Sequence, residues 1–182
     1  MLRSPFALAL LVAAPLLACG STAPQPEPEP QDCGRFTITT SEPASANHVA
    51  TCISTGCGNG EEPPNAGPHC PTWLSCREYT DEQPRCSWLH NLEHGHAVFL
   101  YNCPEGCPDE VAKLREAQAQ ALAGSNGVHR ALIAPDPRLP KRVAALLWRH
   151  TYLADSADPE ALRCLLKLQD VDANEPGLAC AP

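Results

Sequence analysis

Eleven cysteines in a chain of 182 residues constrain the fold more than any other feature. So many thiols do not suit a reducing cytosol, and they read as a disulfide framework in an exported protein. No Cys-x-x-Cys occurs, which removes the motif for thioredoxin-type redox chemistry, and zinc-ribbon spacing is missing as well. Cys33, Cys52, Cys57, Cys70, Cys76, Cys86, Cys103, Cys107, Cys164 and Cys180 form the structural disulfide pool. Spacing leaves their connectivity open, although Cys103 and Cys107 bracket Pro104-Glu105-Gly106 closely enough for a local bridge. The remaining cysteine, Cys19, differs in kind.

Residues 1–18 read as a lipoprotein signal peptide. Arg3 supplies the positive start, and the apolar run from Phe6 to Leu17 is shorter than the roughly 20 residues a spanning helix needs. The run ends in Leu16-Leu17-Ala18-Cys19, which looks like a bacterial lipobox, where the Cys thiol takes a diacylglyceryl group. The competing reading is an ordinary secretory signal cut near Ala18, with Cys19 in a disulfide. Parity favours lipidation, because ten cysteines pair completely and eleven do not. Residues 19–32 are then the lipidated Cys and a Pro/Glu-rich tether, extended and without any apolar side chain larger than Ala. The expected location is the bacterial cell envelope. Gly20 after the lipid-bearing Cys favours the outer membrane, with the domain facing the periplasm or the cell surface. Membrane contact through the lipid is the one partner expected. The formal net charge of −8 argues against nucleic acid, whose affinity comes from neutralising phosphates.

Residues 33–182 are expected to be a single α+β domain. Hydrophobic residues make up 43% of the chain, enough for a packed core. Up to about Arg85 the chain is rich in Cys, Pro, Gly and Thr, and only Arg35-Phe36-Thr37-Ile38-Thr39 alternates like a strand. That half reads as loops held by disulfides. Beyond His90 the pattern is regular. Residues 97–101 predict a buried strand, and Pro108 with Asp109 and Glu110 opens a helix. Its apolar face runs through Val111, Leu114, Ala117, Ala121 and Leu122, with Gly124 as the stop. Residues 130–134 predict a strand. Residues 143–152 combine Ala144, Ala145, Leu146 and Leu147, which favour helix, with Trp148, Thr151 and Tyr152, which tolerate strand, and are assigned to one further strand. Asp158-Pro159-Glu160 caps a final helix. The order is β-α-β-β-α, a small layered fold.

The chemistry-bearing segment is His90-Asn91-Leu92-Glu93-His94-Gly95-His96, with Gly67-Pro68-His69 upstream. Residues 90–94 match His-x-x-Glu-His, the inverted zinc-peptidase pattern, in which Glu93 is the candidate base. That pattern needs a helix, and Gly95 with the apolar run behind it leaves room for about two turns. His48, His129 and His150 are scattered in sequence and read as surface or half-buried side chains.

The blocks Pro63-Pro64-Asn65-Ala66-Gly67-Pro68-His69 and His90-Asn91-Leu92-Glu93-His94-Gly95, with Trp73, Tyr79, Tyr101, Pro135 and Trp148 in order, resemble a bacterial domain-of-unknown-function family, number 3105. Its pattern has Thr-Ser where Asn65-Ala66 stand here, and the cysteine framework is not part of it. The resemblance spans residues 60–155 and implies a domain without implying a reaction.

Residue chemistry carries the rest. Two histidines one turn apart, plus a third on a rigid Gly-Pro turn, suit one transition metal held by His69, His90 and His94, with His96 as a further candidate. Glu93 is the nearest carboxylate to receive a second ring N–H. The alternative is a buried His–Glu–Asn hydrogen-bond network that joins the two halves of a structural or protein-interaction lipoprotein. Met1 is the only methionine, so a thioether copper site is excluded. Oxidised cysteines offer no thiolate, which leaves Zn²⁺ or Cu²⁺ as the expected ion. No serine-hydrolase elbow, phosphate-binding glycine loop or dinucleotide fingerprint is present.

Overall fold

A computed structural model describes residues 33–52 and 56–182. The expected signal peptide, the lipid-bearing Cys19 and the tether lie outside the described residues. A single 3₁₀ turn (Cys33–Arg35) leads into β1 (Ile38–Thr40), and a long irregular segment then reaches α1 (Arg85–Glu93). There follow β2 (Ala97–Tyr101), α2 (Pro108–Gln118), β3 (Ala131–Pro135), β4 (Val143–Leu147), β5 (His150–Ala154) and α3 (Pro159–Leu166). The fold is α+β, with a five-stranded mixed sheet in the order β1-β5-β4-β2-β3. Only β2 and β3 run parallel, joined through α2, and Val98 pairs with Leu132. None of the described helices is long and apolar enough to cross a membrane.

The unbroken apolar runs of β2, β3 and β4 follow from burial on both sheet faces. Because side chains alternate along a strand, one face collects Phe99, Ile133, Val143 and Ala145 under Leu114 of α2 and Leu162 and Leu165 of α3. The other collects Val98, Leu100, Leu132, Ala144 and Leu146 under Trp88, Leu89 and Leu92 of α1. The sheet is thus the middle layer, and α1 has a face of its own.

Three local expectations change in detail. The stretch 143–152 is two strands joined at Trp148-Arg149, with Leu147 opposite His150. Arg149 takes the turn at φ 70° without being glycine. Its N–H donates to the Asn65 carbonyl at 2.8 Å and its Nε–H to the Ser41 carbonyl at 3.0 Å, contacts that offset the left-handed backbone. α2 stops at Gln118, whose Nε2 donates to the Ala131 carbonyl at 2.9 Å, although Ala121 still packs in the core. The first strand begins at Ile38, after the 3₁₀ turn that Cys33 anchors to Cys164 of α3.

The ten described cysteines form five disulfides, Cys33–Cys164, Cys52–Cys70, Cys57–Cys86, Cys76–Cys180 and the local Cys103–Cys107. Three of them gather the irregular half. Cys57–Cys86 ties it to the first turn of α1, Cys52–Cys70 closes the loop ahead of His69, and Cys76–Cys180 draws in the C-terminal segment. With little apolar surface of its own, this half relies on covalent staples to hold its position.

Candidate metal centre

α1 is buried all round, yet half its side chains are polar. Trp88, Leu89 and Leu92 face the sheet, while His90 and Glu93, one turn apart, face the disulfide-held loops. A helix of this kind places polar groups in a dry site at a cost that packing alone does not explain.

Asn91 is the keystone of the segment. Its Oδ1 accepts from the Leu74 N–H at 2.9 Å and its Nδ2 donates to the Leu74 carbonyl at 2.8 Å, so the amide pairs with the loop as a strand would. Nδ2 also donates to His96 Nδ1 at 3.1 Å, and His96 Nε2–H donates to the Leu178 carbonyl at 2.9 Å. Both nitrogens of His96 are therefore engaged by protein groups, and burial lowers its pKa to about 4. The cysteines nearest it, Cys76 and Cys180, are bonded to each other.

The loop bearing His69 is fixed by backbone pairing. His69 N–H donates to the Asn47 carbonyl at 3.1 Å, Val49 N–H to the His69 carbonyl at 2.8 Å, and Cys70 N–H to the Cys86 carbonyl at 2.9 Å. Gly67, at φ 105°, lies so close to Gly58 that a Cβ would fall 2.4 Å from its carbonyl carbon. These contacts carry His48 and His69 to the loop-facing side of α1. There His69 Nε2 lies 2.9 Å, His90 Nε2 3.6 Å and His48 Nε2 3.9 Å from Glu93 Oε2. Three imidazole nitrogens thus surround one carboxylate oxygen, and one atom from each of the four residues lies within 4.8 Å of the others.

His69, His90 and Glu93 are buried, whereas the His48 side chain is 49% exposed, so the cluster opens to solvent at His48. Trp148 packs edge-on against His69, and Trp73 packs edge-on against both His90 and His94. Burial, with the neighbouring His94, His69 and His48, lowers the His90 pKa to about 4 and keeps its ring neutral at pH 7. Neutral rings present the lone pairs that metals bind. Burial lowers His94 in the same direction, against the pull of Glu93 and Glu175.

Of the residues expected to act together, His69, His90 and Glu93 meet. His94 does follow His90 on the same side of α1, with ring centroids 4.6 Å apart, but its candidate ligand partners are Glu93 and Glu175. His96 is committed to the fold. His48, read from sequence as a surface side chain, completes the cluster instead. The signal that places it is the pairing of Asn47 and Val49 with His69, which no local pattern announces. His150 and His129 are bonded elsewhere, His150 to Thr40 and Asp172 and His129 to the Ala121 carbonyl. Residues 88–93 are helical, but His94, the second histidine of the inverted zinc-peptidase pattern, is the C-cap beyond the helix, so the stretch 88–94 that the pattern requires is not helical throughout. Glu93, moreover, stands among the imidazole nitrogens and not behind them.

The fold and the site define a disulfide-stapled α+β domain built around a buried histidine–glutamate centre. The chain belongs to the family described as protein of unknown function (DUF3105), whose sequence model matches residues 48–182. No curated protein and no solved structure gives a significant match to it.

Proposed function

We propose that this is a lipid-anchored envelope protein whose histidine centre binds a transition metal ion, Zn²⁺ or Cu²⁺, through His48, His69 and His90 with Glu93 beside them. The observation that carries the reading is the His69–Glu93 contact. His69 Nδ1 lies 2.9 Å from the Gly67 carbonyl, which can only accept. A neutral imidazole has one N–H, so with Nδ1–H donating to Gly67 the Nε2 lone pair faces a carboxylate at 2.9 Å. A proton or a metal ion must lie between them, and two further Nε2 atoms point to the same place. A second-site carbonyl that holds the ring by its other nitrogen is the usual support of a metal-binding histidine.

The donor set suits zinc or copper(II), since imidazole and carboxylate are present and the described cysteines are all disulfide-bonded. Lipidation at Cys19 and the tether over residues 20–32 would hold the centre at the membrane surface, facing the periplasm or the exterior. Its role there is metal handling or a metal-dependent reaction.

Metal counting on the purified full chain, reloaded with Zn²⁺ or Cu²⁺ and dialysed, tests this reading. Tight binding that His69→Ala and His90→Ala abolish is expected. A wild-type chain that retains no metal would make the cluster a hydrogen-bond network and overturn the proposal. Radiolabelled lipid should follow the wild-type chain and not Cys19→Ala, and labelling that persists in the variant would refute the anchor.

A further inference from the structure

His94 is buried, and neither of its ring nitrogens has a hydrogen-bond partner. An imidazole with both nitrogens dry and unpaired is a costly group to keep. Glu175 lies beside the ring, with Oε2 3.5 Å from Nδ1. Glu175 belongs to the irregular C-terminal segment and its side chain is 60% exposed. Its position is nonetheless fixed, because its N–H donates to the Glu93 carbonyl at 3.0 Å. One carboxylate oxygen from each of Glu93 and Glu175 and one ring nitrogen of His94 lie within 4.8 Å of one another. Glu93 is the member that this group shares with His48, His69 and His90.

We infer that Glu93, His94 and Glu175 form a second metal site, and that Glu93 bridges it to the first to make a dinuclear centre. The inference rests on the reading of His48, His69 and His90 as the first site. A carboxylate can hold one ion on each oxygen, and the side-by-side packing of His90 and His94 under Trp73 makes the two sites one continuous cluster. The donor sets differ in character. The first is rich in imidazole nitrogen. The second has one imidazole and two carboxylates, an oxygen-rich set that admits Zn²⁺, Mn²⁺ or Cu²⁺. The exposure of Glu175 makes the second ion the more readily exchanged of the two.

The test counts zinc on the full chain after equilibrium dialysis, and it uses Glu175→Gln because an exposed side chain can be changed without threatening the fold. Two zinc ions per wild-type chain are expected, falling to one in Glu175→Gln. One ion in the wild type that persists unchanged in Glu175→Gln overturns the second site and leaves the first standing. Two ions in both chains would put the second ion elsewhere and also overturn it. No zinc in the wild type overturns both readings. Loading with Cu²⁺ tests the bridge by electron paramagnetic resonance. A spin-coupled pair should be seen in the wild type and an isolated Cu²⁺ signal in Glu175→Gln, and two uncoupled ions in the wild type would refute bridging by Glu93.

Discussion

His69 and Glu93 meet at 2.9 Å in a part of the protein where His69 has no exposed surface at all. The pair joins the two halves of the domain, a loop without regular structure and the last residue of α1. Glu93 is the common member of both candidate ligand groups, so it is the residue on which the centre depends most. Glu93→Gln should raise the zinc dissociation constant of the imidazole-rich site by at least about tenfold, and it should weaken the Glu175 site in the same variant. Competition with a chromophoric chelator measures both. Unchanged affinity at either site would detach Glu93 from it.

Asn91 lies close to the centre without belonging to it. Asn91→Ala removes two bonds to Leu74 and one to His96, and it takes from the half-buried Leu74 backbone the partner of its N–H and of its carbonyl. The expected cost is about 2–4 kcal/mol, or a fall in melting temperature of roughly 5–15 °C for a domain of this size. Thermal denaturation with and without zinc checks it, and the loss should appear in both series.

Acid should weaken the metal-free fold over a defined window. Burial lowers His90 and His96 from 6.5 to about 4 in the folded chain. Above pH 6.5 both are neutral in either state, so they contribute no slope. As pH falls from 6.5 towards 4, the unfolded chain takes up protons that the folded chain refuses, and stability is lost. The slope is at most about 1.4 kcal/mol per pH unit for each ring. Urea midpoints measured in chelator across that range should drop steadily, with a shallower drop for His96→Gln.

The staples should differ in what they protect. Cys57–Cys86 and Cys103–Cys107 close loops of very different length and place. Replacing both members of Cys57–Cys86 with serine should cost about 3–4 kcal/mol and also loosen metal binding, because the bridge seats the irregular half on α1. The same change at Cys103 and Cys107 should cost less and leave metal affinity as it was. Denaturation and metal titration on the two double variants make the comparison.

Gly95 ends the helix at φ 73°, and a Cβ there would come within 2.0 Å of Asp170 Oδ1. Asp170 holds the buried Arg130 through contacts of 2.8 and 2.6 Å. Gly95→Ala should therefore both strain the backbone and separate that pair, at a cost of about 3 kcal/mol or more. A melting temperature equal to wild type would show that the C-terminal segment yields freely.

Much of the fold was legible in the chain. The apolar runs at 97–101 and 130–134 and the proline-led helices at 108 and 159 stand nearly where local pattern puts them, since burial on both sheet faces and helix capping are local demands. The Trp148-Arg149 turn was not legible, because it lacks the glycine or asparagine that marks a two-residue hairpin and is held by Asn65 and Ser41 from far along the sequence. The site divides in the same way. His69, His90 and Glu93 were visible as a dense motif, while His48 looked like any isolated histidine.

Sequence by itself determined the disulfide-bearing α+β class, the positions of the main strands and helices, and the segment in which chemistry is concentrated. These follow from composition, periodicity and capping, which act over a few residues. Tertiary structure alone decided which cysteines pair, that His48 joins the centre, that His94 turns to Glu175, and that His96 is bound into the fold. Those outcomes depend on long-range backbone pairing and on how hydrogen-bond donors and acceptors are shared once water is excluded. No short window of sequence contains them.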